Sequence, residues 1–197
     1  MGRMGRRHGD ARRGLNRGSK PGRERMGKKH KTIVTHLEML AEPRLPPAPR
    51  PLGKYALMRA EKPPVHFYRY LYDVIGRNHV WVNRKRLSDN ALAEIVQHDG
   101  VDIFILYCSG SPGGFYELDF RNPERAELSF LGVMPEHLGK GFGRFLLREA
   151  IALAWARGPK RLIVQTCTLD HPRALPLYQR HGFTPYAQEE AELEEID

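Results

Sequence analysis

Apolar positions along the chain fall into blocks of two kinds, alternating or continuous short runs and stripes at helical spacing, and their order predicts the elements. Thr32 to Leu40 alternates in part and predicts a first strand. Pro43, Pro46, Pro47, Pro49 and Pro51 make 43–53 a stiff extended connection, and Tyr55 to Arg59 is a short strand. Pro63-Pro64 opens an aromatic helix that ends at Gly76, with Phe67, Tyr70, Leu71 and Val74 as its inward face. The other rings there, Tyr68, Tyr72 and Trp81, then become candidates to line a substrate cleft together with Arg84. Ser88 is placed to N-cap a helix over 89–98. Val101 to Cys108, Gly114 to Phe120 and Ala126 to Met134 read as strands, divided by turns at 109–113 and at Asn122-Pro123. A helix over 145–157 stops at Gly158-Pro159, a strand follows over 161–167, and a short helix over 172–181 leads to a last strand from Phe183. The order predicts an α/β (α+β) domain, with a mainly antiparallel mixed sheet flanked by helices and one strand–helix–strand crossover.

Charge divides the chain. Net charge is +9, and residues 1–30, with 11 Lys or Arg against Asp10 and Glu24, carry all of it. Residues 31–188 then read as one domain between a disordered basic tail at 1–30 and an acidic solvated tail at 189–197. The basic tail reads as a solvated extension, with Met26 a second possible start, or as an arm for nucleic acid or anionic lipid. It has no apolar core of a secretory signal, and no stretch nears the ~18 apolar residues of a membrane span. Cys108 and Cys167 have no metal or disulfide spacing, and the nine histidines show no metal motif, so no metal is expected and a cytoplasmic enzyme fits best.

The chemistry concentrates in Leu138-Gly139-Lys140-Gly141-Phe142-Gly143-Arg144, a glycine-rich turn between a strand and a helix. Such a turn exposes backbone N–H groups at the positive end of a helix, which suits a phosphate or pyrophosphate. It is not a P-loop, because Gly141 rather than Ser or Thr follows Lys140. Nor is it a dinucleotide fingerprint, because Arg144 stands where the third glycine belongs and Arg161 to Gln165 has no acid.

This turn, preceded by Val133-Met134-Pro135-Glu136, resembles the signature of the GCN5-related N-acetyltransferase (GNAT) superfamily. A second block, Ala174 to Phe183 with Tyr178 and Gly182-Phe183, is similar in the same order. Two positions depart from the pattern: Leu138 replaces Arg or Gln, and His171 replaces an Asn found in many members. The resemblance implies the acyl-CoA N-acyltransferase fold and acetyl-CoA as co-substrate. Leu131, Gly132, Val133 and Met134 would pair with its pantetheine, and Gly139, Lys140, Gly141, Phe142, Gly143 and Arg144 would hold its pyrophosphate.

The implied reaction is direct transfer of acetyl to a primary amine of a small molecule, amino acid or peptide. An ammonium of pKa ~10.4 is neutral in only about one molecule in two thousand near pH 7, so a base is required. Glu127 is the first candidate and Glu117 the second, while Tyr178 suits the departing thiolate. Tyr68, Tyr72, Trp81 and His171 are the candidate acceptor contacts. Two other classes stand beside the enzyme: an acetyl-CoA sensor without turnover, and a nucleic-acid protein working through its basic arm.

Overall fold

The computed structural model describes residues 27–46 and 50–196, so the basic segment 1–26, Pro47 to Pro49 and Asp197 lie outside the described residues. Seven strands form one sheet: β1 Lys29–Met39, β2 Tyr55–Arg59, β3 Val101–Cys108, β4 Ser111–Asp119, β5 Ala126–Val133, β6 Leu162–Cys167 and β7 Thr184–Glu194. Helices are α1 Val65–Gly76, α2 Asp89–Val96, α3 Phe142–Ala156 and α4 Ala174–Arg180. The order across the sheet is β2-β3-β4-β5-β6-β1-β7, and every pairing is antiparallel except β5–β6. This is the predicted mixed sheet, with β5–α3–β6 as the crossover.

Two apolar layers sandwich the sheet. Leu146, Leu147, Ala150, Ile151 and Ala154 of α3 pack on Leu128, Leu162 and Val164. On the other face, Tyr68, Leu71, Tyr72 and Ile75 of α1, with Leu92 and Val96 of α2, cover Ile103, Ile105 and Phe115. Ser88 caps α2 as predicted, its hydroxyl accepting from Ala91 N–H at 3.2 Å.

Three expectations are corrected. The inward stripe of α1 is Tyr68, Leu71, Tyr72 and Ile75, while Tyr70 is half exposed. Both stripes obey helical spacing, and the sheet selects the one whose Tyr68 hydroxyl finds a buried partner. The acidic end is no solvated tail through Glu194: β7 runs antiparallel along β1. Side-chain contacts fix it there, an ion pair of Lys29 with Glu192 at 2.9 Å and hydrogen bonds of His30 with Glu195 at 2.8 Å and of His36 with Glu189 at 3.1 Å. The third concerns the other boundary: Lys29 and His30 belong to β1, so the folded part begins before residue 31. The first strand thus lies between the last two.

Candidate active site

The site begins with a fork in the sheet. β5 and β6 pair only from Ala126–Leu162 to Leu128–Val164. On the β4 side the register shifts, Glu117 facing Phe130 and Leu118 facing Leu128, so Ser129 is an extra residue in β5. A bulge bends its strand and increases the local twist, and it stands where β5 leaves β6. Ser129 to Val133 therefore present a strand edge with no partner from β6. Gly132 is required here because a Cβ would stand 2.2 Å from Ile75 Cγ2 of α1.

Above the fork the glycine turn enters α3. Gly141 adopts φ +86°, a left-handed conformation that side chains resist, and open space surrounds both Gly139 and Gly141. The first bond of the helix is Phe145 N–H to Gly141 carbonyl at 3.1 Å. Among the described residues, no N–H from Gly139 to Arg144 has an acceptor. Six donors at a helix start, beside an open strand edge, fit a pyrophosphate followed by an amide-bearing chain.

Turn and fork line one cleft of about 510 Å³. Leu131, Gly132 and Val133 lie on its wall, as do Gly139, Gly141, Gly143 and Arg144. The other three expected cofactor residues are placed differently. Met134 is buried and its N–H is taken by the Gly113 carbonyl at 2.9 Å. Phe142 packs edge-on against Tyr55, and Lys140 Nζ donates to the Glu136 carbonyl at 2.8 Å. These two offer backbone donors rather than side chains.

Tyr178 faces the fork from α4, stacked edge-on against Phe183 at 5.8 Å. Its hydroxyl has no hydrogen-bond partner among the described residues. Burial first, and the Asp170 carboxylate second, push the phenol above its ordinary range, so it stays protonated at neutral pH.

Of the acceptor candidates, Tyr72, Trp81 and His171 are on the cleft wall. Trp81 Nε1–H donates to Asp170 Oδ1 at 3.1 Å, joining the α1–α2 connection to the β6–α4 connection across the mouth. Tyr68 is not on the wall. It is fully buried, and its hydroxyl donates to Glu117 Oε2 at 2.5 Å, so it supports the site from beneath.

The two carboxylates expected as base are off the cleft wall, one on β4 and one on β5. Glu117 is fully buried and also accepts from Arg84 Nη2 at 2.5 Å, so its oxygens are committed. Glu127 lies in the closed part of the fork, opposite Asp119 and Ile163, with Arg125 at 4.0 Å. Burial pushes its carboxyl up.

Several wall residues carry no motif. Arg173 and Arg180 bracket Tyr178 and add charge suited to phosphate, a signal present in the sequence as cations flanking the tyrosine block. Val34 of β1 and Leu193 of β7 reach the wall only through the non-local sheet order. Val80 is left-handed at φ +54°, ψ +42°, an outlier for a β-branched residue, and it lies between the wall residues His79 and Trp81. Among the described residues no group of His, Cys, Asp and Glu is set to hold a metal, and no helix is long and apolar enough to cross a membrane.

Comparison with known proteins gives the frame. A curated mycothiol acetyltransferase from Jonesia denitrificans is 44% identical over 59 residues, which is 30% of this chain and 18% of that protein; the chain spans less than a fifth of this relative's length. A GCN5-related N-acetyltransferase from Sphaerobacter thermophilus superposes with TM-score 0.57 at 16% identity, covering 84% of this chain and 53% of that one. An IAA acetyltransferase from Bacillus cereus gives TM-score 0.51 at 25% identity, covering 68% and 79%. The model of the Acetyltransferase (GNAT) family matches residues 68–183, more than half of the chain. With the fork, the amide-lined turn and this match together, the chain belongs to the Acetyltransferase (GNAT) family.

Proposed function

We propose that this protein moves an acetyl group from acetyl-CoA to a primary amine of a small molecule, amino acid or peptide by direct attack. The observation that carries the reading is the continuity of one cleft from the unpaired amides of the glycine turn, along an unpaired strand edge, to the free Tyr178 hydroxyl. Acetyl-CoA supplies a thioester activated toward amines. Gly139 to Arg144 hold the pyrophosphate through their amides, Arg144, Arg173 and Arg180 add charge, and Leu131 to Val133 pair with the pantetheine. Tyr178 gives a proton to the departing sulfur, and His171 contacts the acceptor.

The acceptor side favours an amine on an apolar body. Tyr72, Trp81 and Phe130 form one aromatic cluster with ring centroids 5.0 to 5.3 Å apart. Asp170 is the one carboxylate on the wall among the described residues, and its oxygens are engaged by Trp81, Thr166 and Cys167 N–H. A polycation finds no free acid there.

Thermal melting of the full chain with and without acetyl-CoA tests the first step. At a hundredfold excess over Kd the ligand stabilises by ~2.7 kcal/mol, or roughly 5–10 °C. Gly141→Val should abolish that shift, and a panel of arylalkylamines and polyamines should show turnover with the former. A folded wild-type chain with no shift would falsify the reading.

A further inference from the structure

Three imidazoles lie on the cleft wall, and their hydrogen bonds assign them different work. His137 packs edge-on against Phe142 at 5.9 Å beneath the glycine turn, at the phosphate end. His79 and His171 lie together at the other end, rings 6.4 Å apart, one on the α1–α2 connection and one on the β6–α4 connection.

Their tautomers are opposite. His79 Nδ1 is 3.1 Å from the Leu169 carbonyl oxygen. A carbonyl only accepts, so Nδ1 carries the proton, and in the neutral ring Nε2 holds a free lone pair. His171 Nδ1 accepts from the Arg173 N–H at 3.1 Å, so its neutral ring carries the proton on Nε2 and can only donate there. The Trp81–Asp170 bond beside them holds the two connections together. Asp170, Arg144, Arg173 and Arg180 are the charged residues that share the wall with His79 among the described residues. Asp170 is committed, as described, Arg77 just after α1 pairs with Asp73 at 2.5 Å, and Asp73 also pairs with Lys85 at 2.7 Å. Glu117 is sealed by Tyr68 and Arg84, and Glu127 lies in the closed part of the fork, off the cleft wall.

We propose that His79 is the general base that deprotonates the acceptor ammonium, through Nε2, with Leu169 fixing the tautomer and His171 acting as a donor to the acceptor. The inference rests on the acetyltransferase reading and deepens it. His79 Nε2 takes one proton from the ammonium and later releases it to solvent. The freed nitrogen lone pair bonds to the acetyl carbon as the carbon–sulfur bond breaks. Tyr178 delivers a proton to sulfur, which leaves as a thiol, and the second nitrogen proton goes to solvent, from which the Tyr178 phenolate regains its own.

The test uses the full chain with the best amine of the panel above, or with water as acceptor (acetyl-CoA hydrolysis) if no amine serves. In His79→Asn the side-chain amide can still donate to Leu169, but nothing titrates. This variant should keep the wild-type thermal shift with acetyl-CoA and lose about a hundredfold or more in kcat/KM. The acid limb of the wild-type pH profile should vanish in it, and added imidazole should restore part of the rate. Long-range nitrogen–proton NMR on the wild type should show neutral His79 protonated on Nδ1. Activity of His79→Asn within about threefold of wild type overturns the assignment, as does an acid limb that persists there and disappears in Glu127→Gln. Those results leave the acetyl-CoA shift, and the function beneath it, standing. No wild-type shift overturns both.

Discussion

Replacing Glu117 by Gln separates a structural carboxylate from a catalytic one. Glu117 is fully buried and holds two charge-assisted bonds, from Arg84 and from the Tyr68 hydroxyl, both at 2.5 Å. Burial first, and Glu117 second, hold the Tyr68 phenol well above its usual range, so it stays a donor. Removing one partner of a buried ion pair costs ~3–5 kcal/mol, because the remaining charge is left uncompensated. Arg84 is 14% exposed and keeps its stacking over Phe130 at 5.1 Å, which places the loss near the lower bound, ~3 kcal/mol. For a chain of this length each kcal/mol is worth ~2–4 °C, so Tm should fall by roughly 6–12 °C. Differential scanning calorimetry reads this directly, and Glu117→Gln with Arg84→Met should recover much of the loss. A melting temperature unchanged within about 2 °C, together with lost acetyl transfer, would refute the argument and return Glu117 to the chemistry.

Two further outcomes follow from the same contacts. Burial raises the Glu127 carboxyl above its unfolded value, so its contribution to stability is present below the ordinary carboxyl range and is lost as pH rises through the raised folded value. Glu127→Gln should therefore melt higher than wild type at pH 7, with the difference closing near pH ~4; equal offsets at both pH values would contradict the sign. Deleting 189–197 removes six residue pairs between β7 and β1 and the Leu193 wall. It should lower Tm by roughly 5 °C or more by thermal shift, whereas a solvated tail would leave Tm unchanged.

What the sequence shows well is local. The glycine turn, its flanking strand and helix, and Tyr178 before Gly182-Phe183 lie within 60 residues of one another, and each lands on the cleft or its frame. What it hides depends on distant partners. Glu117 reads as a free carboxylate until Tyr68, 49 residues earlier, closes over it. The α1 stripe is ambiguous because two sets of aromatic positions satisfy the same period, and only the buried hydroxyl contact selects one. Glu189 to Glu194 reads as solvated because only Ala191 and Leu193 are apolar there, yet Lys29, His30 and His36 of β1 give carboxylates of this end their partners.

The place of β1 between β6 and β7 has a consequence for chain connectivity. Glu195 N–H donates to the Lys28 carbonyl at 2.9 Å, so the two ends of the described fold are hydrogen-bonded neighbours, while the side chains of His30 and Glu195 that meet there are 165 positions apart. A circular permutant that links residue 196 to residue 27 and opens between Ser109 and Gly110 would turn this longest-range pairing into a hairpin. Contacts that close early in sequence speed folding. Such a permutant should therefore refold faster than the natural order while leaving the fork, the glycine turn and the cleft unchanged.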